Sequence, residues 1–166
     1  MVFIMLYDFT LIFGKKGSGK TSLMAKIAKK YSKKGVTCLC TEKNVANTYY
    51  IPFSDIGKYW LPDDSILLID ELSCCANSRS FKSTPMSLLT WFKYSRHNRV
   101  KIFAFTQVFN DSDLQIRMLA DNMYLAKNRG LFAVYRRIVK VLDIRTDANG
   151  VGQTAVRIKI LPVSPE

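Results

Sequence analysis

The chain is poor in the residues that build metal cages and membrane spans. It has one histidine, His97, and four cysteines: Cys38 and Cys40 on a predicted strand, and the adjacent pair Cys74-Cys75 on a predicted loop. Neither set has zinc-ligand spacing, and neither suggests a disulfide framework, so the cysteines read as reduced thiols. No stretch approaches the roughly 18 apolar residues of a bilayer span. The apolar start, Met1 to Tyr7, stops at Asp8 without a basic flank, so it is too short to span and wrongly flanked for a signal peptide. The expected location is therefore the cytoplasm. Repeats, low-complexity tracts and linkers are also missing, and 166 residues read as one domain, 1–166. With 48% hydrophobic and 23% charged residues, that domain can bury a core.

Acidic residues are scarce too, 13 against 25 Lys and Arg, for a net charge of +12. Lys26, Lys29, Lys30, Lys33 and Lys34 crowd one predicted helix. They form either a solvated face or a surface for a partner of opposite sign, nucleic acid or an anionic membrane. Composition leaves both open.

What is present is a complete G-x-x-x-x-G-K-T phosphate loop, from Gly14 to Thr21. The glycines Gly14, Gly17 and Gly19 let the backbone curl, so that its N–H groups, that of Ser18 included, converge on phosphate oxygens. Lys20 is expected to reach the β- and γ-phosphates, and the Thr21 hydroxyl to hold Mg²⁺. The apolar run Phe9 to Phe13 precedes the loop and helical spacing over 20–34 follows it. Phosphates would then sit at a helix N-terminus.

Further along, Val36 to Thr41 reads as a second strand, and the pattern breaks up between Glu42 and Asp64. Ser65 to Asp70 is an apolar run ending in acid, as in a strand buried on both faces. Thr84-Pro85 should cap a helix running to about Ser95. Val100 to Thr106, a short helix over 111–120 and a strand over 122–127 follow. Alternation of strand and helix predicts a parallel α/β sheet with a core over about 9–127. The β-type runs after Gly130, around the turn signal Asp147 to Gly150, predict an antiparallel hairpin over about 131–161.

Asp70 lies about fifty residues past the phosphate loop, where such a fold places its second acid, and it is expected to bind Mg²⁺ through water. Glu71, next to it, can deprotonate an attacking water, which favours hydrolysis over transfer to a substrate hydroxyl. Gln107 follows the fourth strand. If that strand is inserted between those ending in the phosphate loop and in Asp70, its tip faces the γ-phosphate. Arg96, with Arg99 beside it, precedes the same strand, where an arginine can reach a neighbouring subunit's nucleotide. Arg79 and Arg117 are less well placed. The absence of N-K-x-D and T-K-x-D favours ATP over GTP, and Arg117 alone does not make a nucleotide-kinase lid.

The array of Gly14 to Thr21, Ile66 to Glu71, Tyr94-Ser95-Arg96-His97, Phe105-Thr106-Gln107 and Asp113 to Arg117 resembles the zonula occludens toxin-like (Zot) family over about 9–127. Its members are assembly ATPases of filamentous bacteriophages, related to the FtsK–HerA class of DNA motors. The phosphate loop and acid pair are shared by many ATPases, whereas the Arg-His and Thr-Gln pairs are the family-specific part. The resemblance implies a RecA/FtsK–HerA-like P-loop NTPase fold and a ring of identical subunits. It implies ATP and Mg²⁺ as ligands, with phage single-stranded DNA or its coat and assembly proteins as partners. It also implies work at the cytoplasmic face of the host inner membrane. Such proteins usually continue into a membrane-spanning helix and a periplasmic tail, and no stretch here has that length and apolarity. Two rival readings share the site: a DNA translocase of conjugation or packaging type, and a nucleotide-gated scaffold with negligible hydrolysis.

Overall fold

The computed structural model describes residues 5–75, 86–109, 114–128, 133–146 and 152–162. Its centre is β1 (Phe9–Phe13), flanked in parallel by β5 (Val100–Thr106) and β6 (Asn122–Asn128). Beyond β5 lie β4 (Ser65–Ile69), β2 (Cys38–Cys40) and β3 (Tyr49–Tyr50), also parallel. On the other side β7 (Ala133–Thr146) pairs antiparallel with β6, and β8 (Gly152–Pro162) with β7, so the order is β3-β2-β4-β5-β1-β6-β7-β8. The turn signal at 147–150 lies outside the described residues.

Helices cover both faces of the parallel part, as a sheet of two-sided apolar strands requires. Side chains alternate along each strand. Leu67 and Ile69 join one core with α3 (Met86–Lys93), while Ile66 and Leu68 join the other with α1 (Lys20–Ser32). Leu11 and the four apolar residues Ile66–Ile69 have no exposed surface, and burial of each contributes about 1.5–3 kcal/mol. Such runs hold the strand ends, and whatever they carry, in rigid register.

The parallel α/β architecture expected from the alternation is present. The fourth predicted strand is indeed inserted between those ending in the phosphate loop and in Asp70. Three features escaped the sequence reading. The broken segment 42–64 contains β3 and a 3₁₀ turn, Phe53–Asp55. Glu71 is followed by a one-turn helix, α2 (Leu72–Cys75), so Cys74 and Cys75 are helical rather than in a loop. The helix expected over 111–120 is seen as α4 (Leu114–Leu119); Asp113, the proposed cap Thr84-Pro85, and Arg79 lie outside the described residues.

Candidate nucleotide-binding site

Parallel strands of this kind present their C-terminal ends together, and the chemistry gathers there. The phosphate loop leaves β1 at Gly14, whose N–H donates to Thr106 O at 3.2 Å, tying the loop to the tip of β5. A Cβ at Gly14 would lie 2.3 Å from Ala126 O and 2.8 Å from Ser18 Oγ, so only glycine fits between β1 and β6. Gly17 and Gly19 take positive φ of 76° and 92°, and Gly19 leads into α1 without a side-chain cap. The first N–H groups of α1 therefore face the loop's hollow, as anion binding needs.

Two observations point to a phosphate ligand there. Ser18 Oγ is buried with no hydrogen-bond partner. The buried Lys20 ammonium is folded onto the loop's own carbonyls, 2.5 Å from Gly14 O and 3.2 Å from Lys15 O. Burial lowers the Lys20 pKa, opposed by the charges of Glu71 and Asp70. An amine held by the loop's own carbonyls beside the positive end of a helix has the electrostatics of a seat for an anion.

Asp70 follows β4, its N–H donating to Thr41 Oγ1 at 2.9 Å. Burial, then the neighbouring charges of Glu71 and Glu42, raise its pKa. A cation would relieve that crowding. Among the described residues no three or more His, Cys, Asp or Glu side chains form a metal cage. Asp70 with the exposed Thr21 fits Mg²⁺, which is held by one or two protein groups plus substrate phosphates.

Glu71 stands between Asp70 and β5 with φ 49°, a left-handed conformation uncommon outside glycine. Its Oε1 accepts from Gln107 N–H at 3.2 Å, Thr106 Oγ1 at 3.3 Å and Ser73 Oγ at 2.5 Å. Gln107 itself is exposed at the strand tip. The structure thus brings together the phosphate loop, Lys20, Asp70, Glu71 and Gln107.

It does not bring Arg96 or Arg99 there. Arg96 precedes β5 at the opposite end of the sheet, about 20 Å away for a strand of this length. It is paired with Asp121, its side chain 64% exposed. Arg99 pairs with Asp64 and Asp63, and Arg117 stacks on the Phe109 ring at 4.6 Å. An arginine acting on a nucleotide from 96 or 99 must therefore act on another subunit's.

Sequence reasoning missed Ser73, Thr41 and Asn128. Asn128 Nδ2 donates to Gly17 O at 3.1 Å, bracing the loop from β6. Beside it a cleft of about 400 Å³ opens between Lys15, Lys16, Lys127 and Asn128. No motif marked these residues: Thr41 and Asn128 act through partners 29 and 111 residues away in sequence, and Ser73 lies on a single helical turn too short to show a period.

Comparison with known proteins agrees with this architecture. The chain is similar to the N-terminal domain of zonular occludens toxin from Neisseria meningitidis, with 17% identity and a TM-score of 0.59 over 92% of this chain and 94% of that one. It is also similar to the genome-packaging NTPase B204 of Sulfolobus turreted icosahedral virus 2, solved with ATP-γS. There the identity is 16% and the TM-score 0.60, over 74% of this chain and 76% of that one. The flagellar accessory protein FlaH of Methanocaldococcus jannaschii shares the fold at 12% identity and a TM-score of 0.53, over 92% and 90% of the two chains. No curated protein sequence matches significantly. The family model for zonular occludens toxin (Zot) matches residues 24–164, most of the chain, and the protein belongs to that family.

Proposed function

We propose that the protein is an ATP-hydrolysing motor for filamentous phage assembly, exporting single-stranded phage DNA at the cytoplasmic face of the host inner membrane. The observation that carries the ATPase reading is that Lys20 lies on the phosphate loop within reach of the charges of Glu71 and Asp70, with the β5 tip bonded to both the loop and Glu71. The phage role rests on membership of the Zot family.

Lys20 would leave the loop carbonyls for the β- and γ-phosphates, and the N–H groups of 17–21 would line the bound anion. Thr21 and Asp70 would hold Mg²⁺, which supplies charge neutralisation for the phosphate oxygens. Glu71 takes a proton from water as the water oxygen bonds to the γ-phosphorus. The bond to the bridging oxygen breaks, and its electron pair stays on the departing ADP. Gln107 orients water and γ-phosphate. Arg96 of the next subunit in a ring would neutralise charge developing on the phosphoryl group. Its cis pair with Asp121 is a surface contact and competes weakly.

Calorimetry and single-turnover hydrolysis test the reading. Lys20→Ala should lose about ten- to a hundredfold in ATP affinity, the worth of one charge-assisted contact. Glu71→Gln should bind ATP and nearly cease turnover. Equal affinity in Lys20→Ala, or wild-type rates in Glu71→Gln, would overturn the assignment. The likeness to a genome-packaging NTPase favours a packaging-type translocase as the second reading, and it predicts turnover stimulated by DNA in this domain alone. Tight ATP binding with negligible turnover would instead mark a nucleotide-gated scaffold.

A further inference from the structure

The three bonds to Glu71 all end on one oxygen. Oε1 accepts the Ser73 hydroxyl, the Thr106 hydroxyl and the Gln107 N–H, and among the described residues no donor reaches Oε2. Thr106 Oγ1 also lies 3.4 Å from Val108 O, and its single proton serves one acceptor at a time. The donors come from different elements: Ser73 from α2, Thr106 and Gln107 from the end of β5. The Glu71 backbone is left-handed. Such a conformation persists where the surroundings over-determine it.

A carboxylate that takes a proton from water needs one oxygen free and the whole group held in orientation. Saturation of Oε1 leaves the basic lone pairs on Oε2. We propose that Ser73 and Thr106 are positioning residues for Glu71, clamping Oε1 so that Oε2 faces the attacking water. Gln107 N–H ends on the same oxygen, so displacement of the β5 tip displaces the carboxylate. This proposal rests on Glu71 being the base.

Steady-state turnover of the full chain with Mg·ATP tests it. Ser73→Ala and Thr106→Val, the second nearly isosteric, should each lower kcat about tenfold, as misplacement of a reacting group does. KM and the affinity for a non-hydrolysable ATP analogue should stay within about twofold, and Ser73→Thr should restore the rate. In a Glu71→Asp background, whose shorter side chain leaves the clamp, Ser73→Ala should cost nothing further. Wild-type kcat in both Ser73→Ala and Thr106→Val would overturn the proposal. So would a loss that adds fully to Glu71→Asp or that tracks lost analogue affinity. If Glu71→Gln turns over normally, the base assignment fails first; if it is dead while both clamp variants are normal, only the clamp fails. Should Ser73→Ala not fold, Thr106→Val carries the same test.

Discussion

Gly14 shows what a single residue decides here. The space a methyl would need is taken by Ala126 O and Ser18 Oγ, so Gly14→Ala must push apart either the loop or the β1–β6 pair. We expect a loss of about 1–3 kcal/mol in urea unfolding, as for overpacking elsewhere, together with weakened ATP binding. The charged residues divide by burial. Lys101 and Asp8 form an ion pair with side chains 10% and 23% exposed, and Lys101 also donates to Leu6 O at 3.0 Å. Asp8→Ala strands a mostly buried ammonium and should cost about 3 kcal/mol. Arg96→Ala, which removes a far more exposed pair, should cost at most about 1 kcal/mol by the same unfolding measurement. A reversed order of these two costs would contradict the burial argument.

At the scale of elements, the short strand β2 buries both of its cysteines. Burial pushes the Cys38 and Cys40 thiols up to about 11. At pH 8 about one molecule in a thousand would carry either thiolate, and the thiolate is the reactive form. Native protein treated with iodoacetamide at that pH should leave the peptide holding both residues unlabelled by mass spectrometry, and denatured protein should label it fully. The strands ending in Phe13 and Ile69 were legible because each is a continuous apolar run followed by its functional residues. Strand β3 was not: its two residues, Tyr49 and Tyr50, are exposed and polar enough to read as loop. The one-turn α2 was hidden as well, since four residues carry no helical period. Ser73, which α2 positions, was therefore invisible.

For the whole molecule, the separation of Arg96 and Arg99 from the phosphate loop means that, in the proposed mechanism, either arginine has to come from a neighbouring subunit. Specific ATPase activity should rise with protein concentration, because a missing arginine costs about 10³–10⁵ in rate in related phosphoryl-transfer systems. Arg96→Ala mixed with Glu71→Gln should recover activity that neither variant has alone. Activity that stays flat from nanomolar to tens of micromolar, with Arg96→Ala fully active, would leave a monomeric ATPase. Part of the net charge of +12 lies on the exposed lysines Lys26, Lys29 and Lys30 of α1 and Lys15 and Lys16 of the loop. If it holds single-stranded DNA, log affinity should fall linearly with log salt, at about −0.7 per phosphate contact. Binding that ignores salt between ~50 and ~200 mM would exclude an electrostatic partner.

By itself the sequence determined the phosphate loop, the acid pair and the parallel sheet. Each of these is written in adjacent residues or in a local period: glycines at set offsets, acids at a strand end, apolar runs divided by helical spacing. Which strands are neighbours depends on burying two apolar faces at once, and that is a property of the whole sheet. Only the tertiary structure seated β5 between β1 and β4, and so delivered Thr106 and Gln107 to Glu71, thirty-five and thirty-six residues away in sequence. It also set Arg96 at the far end of the same strand. A strand has two ends, and pattern alone does not say which of its flanking residues will meet the ligand.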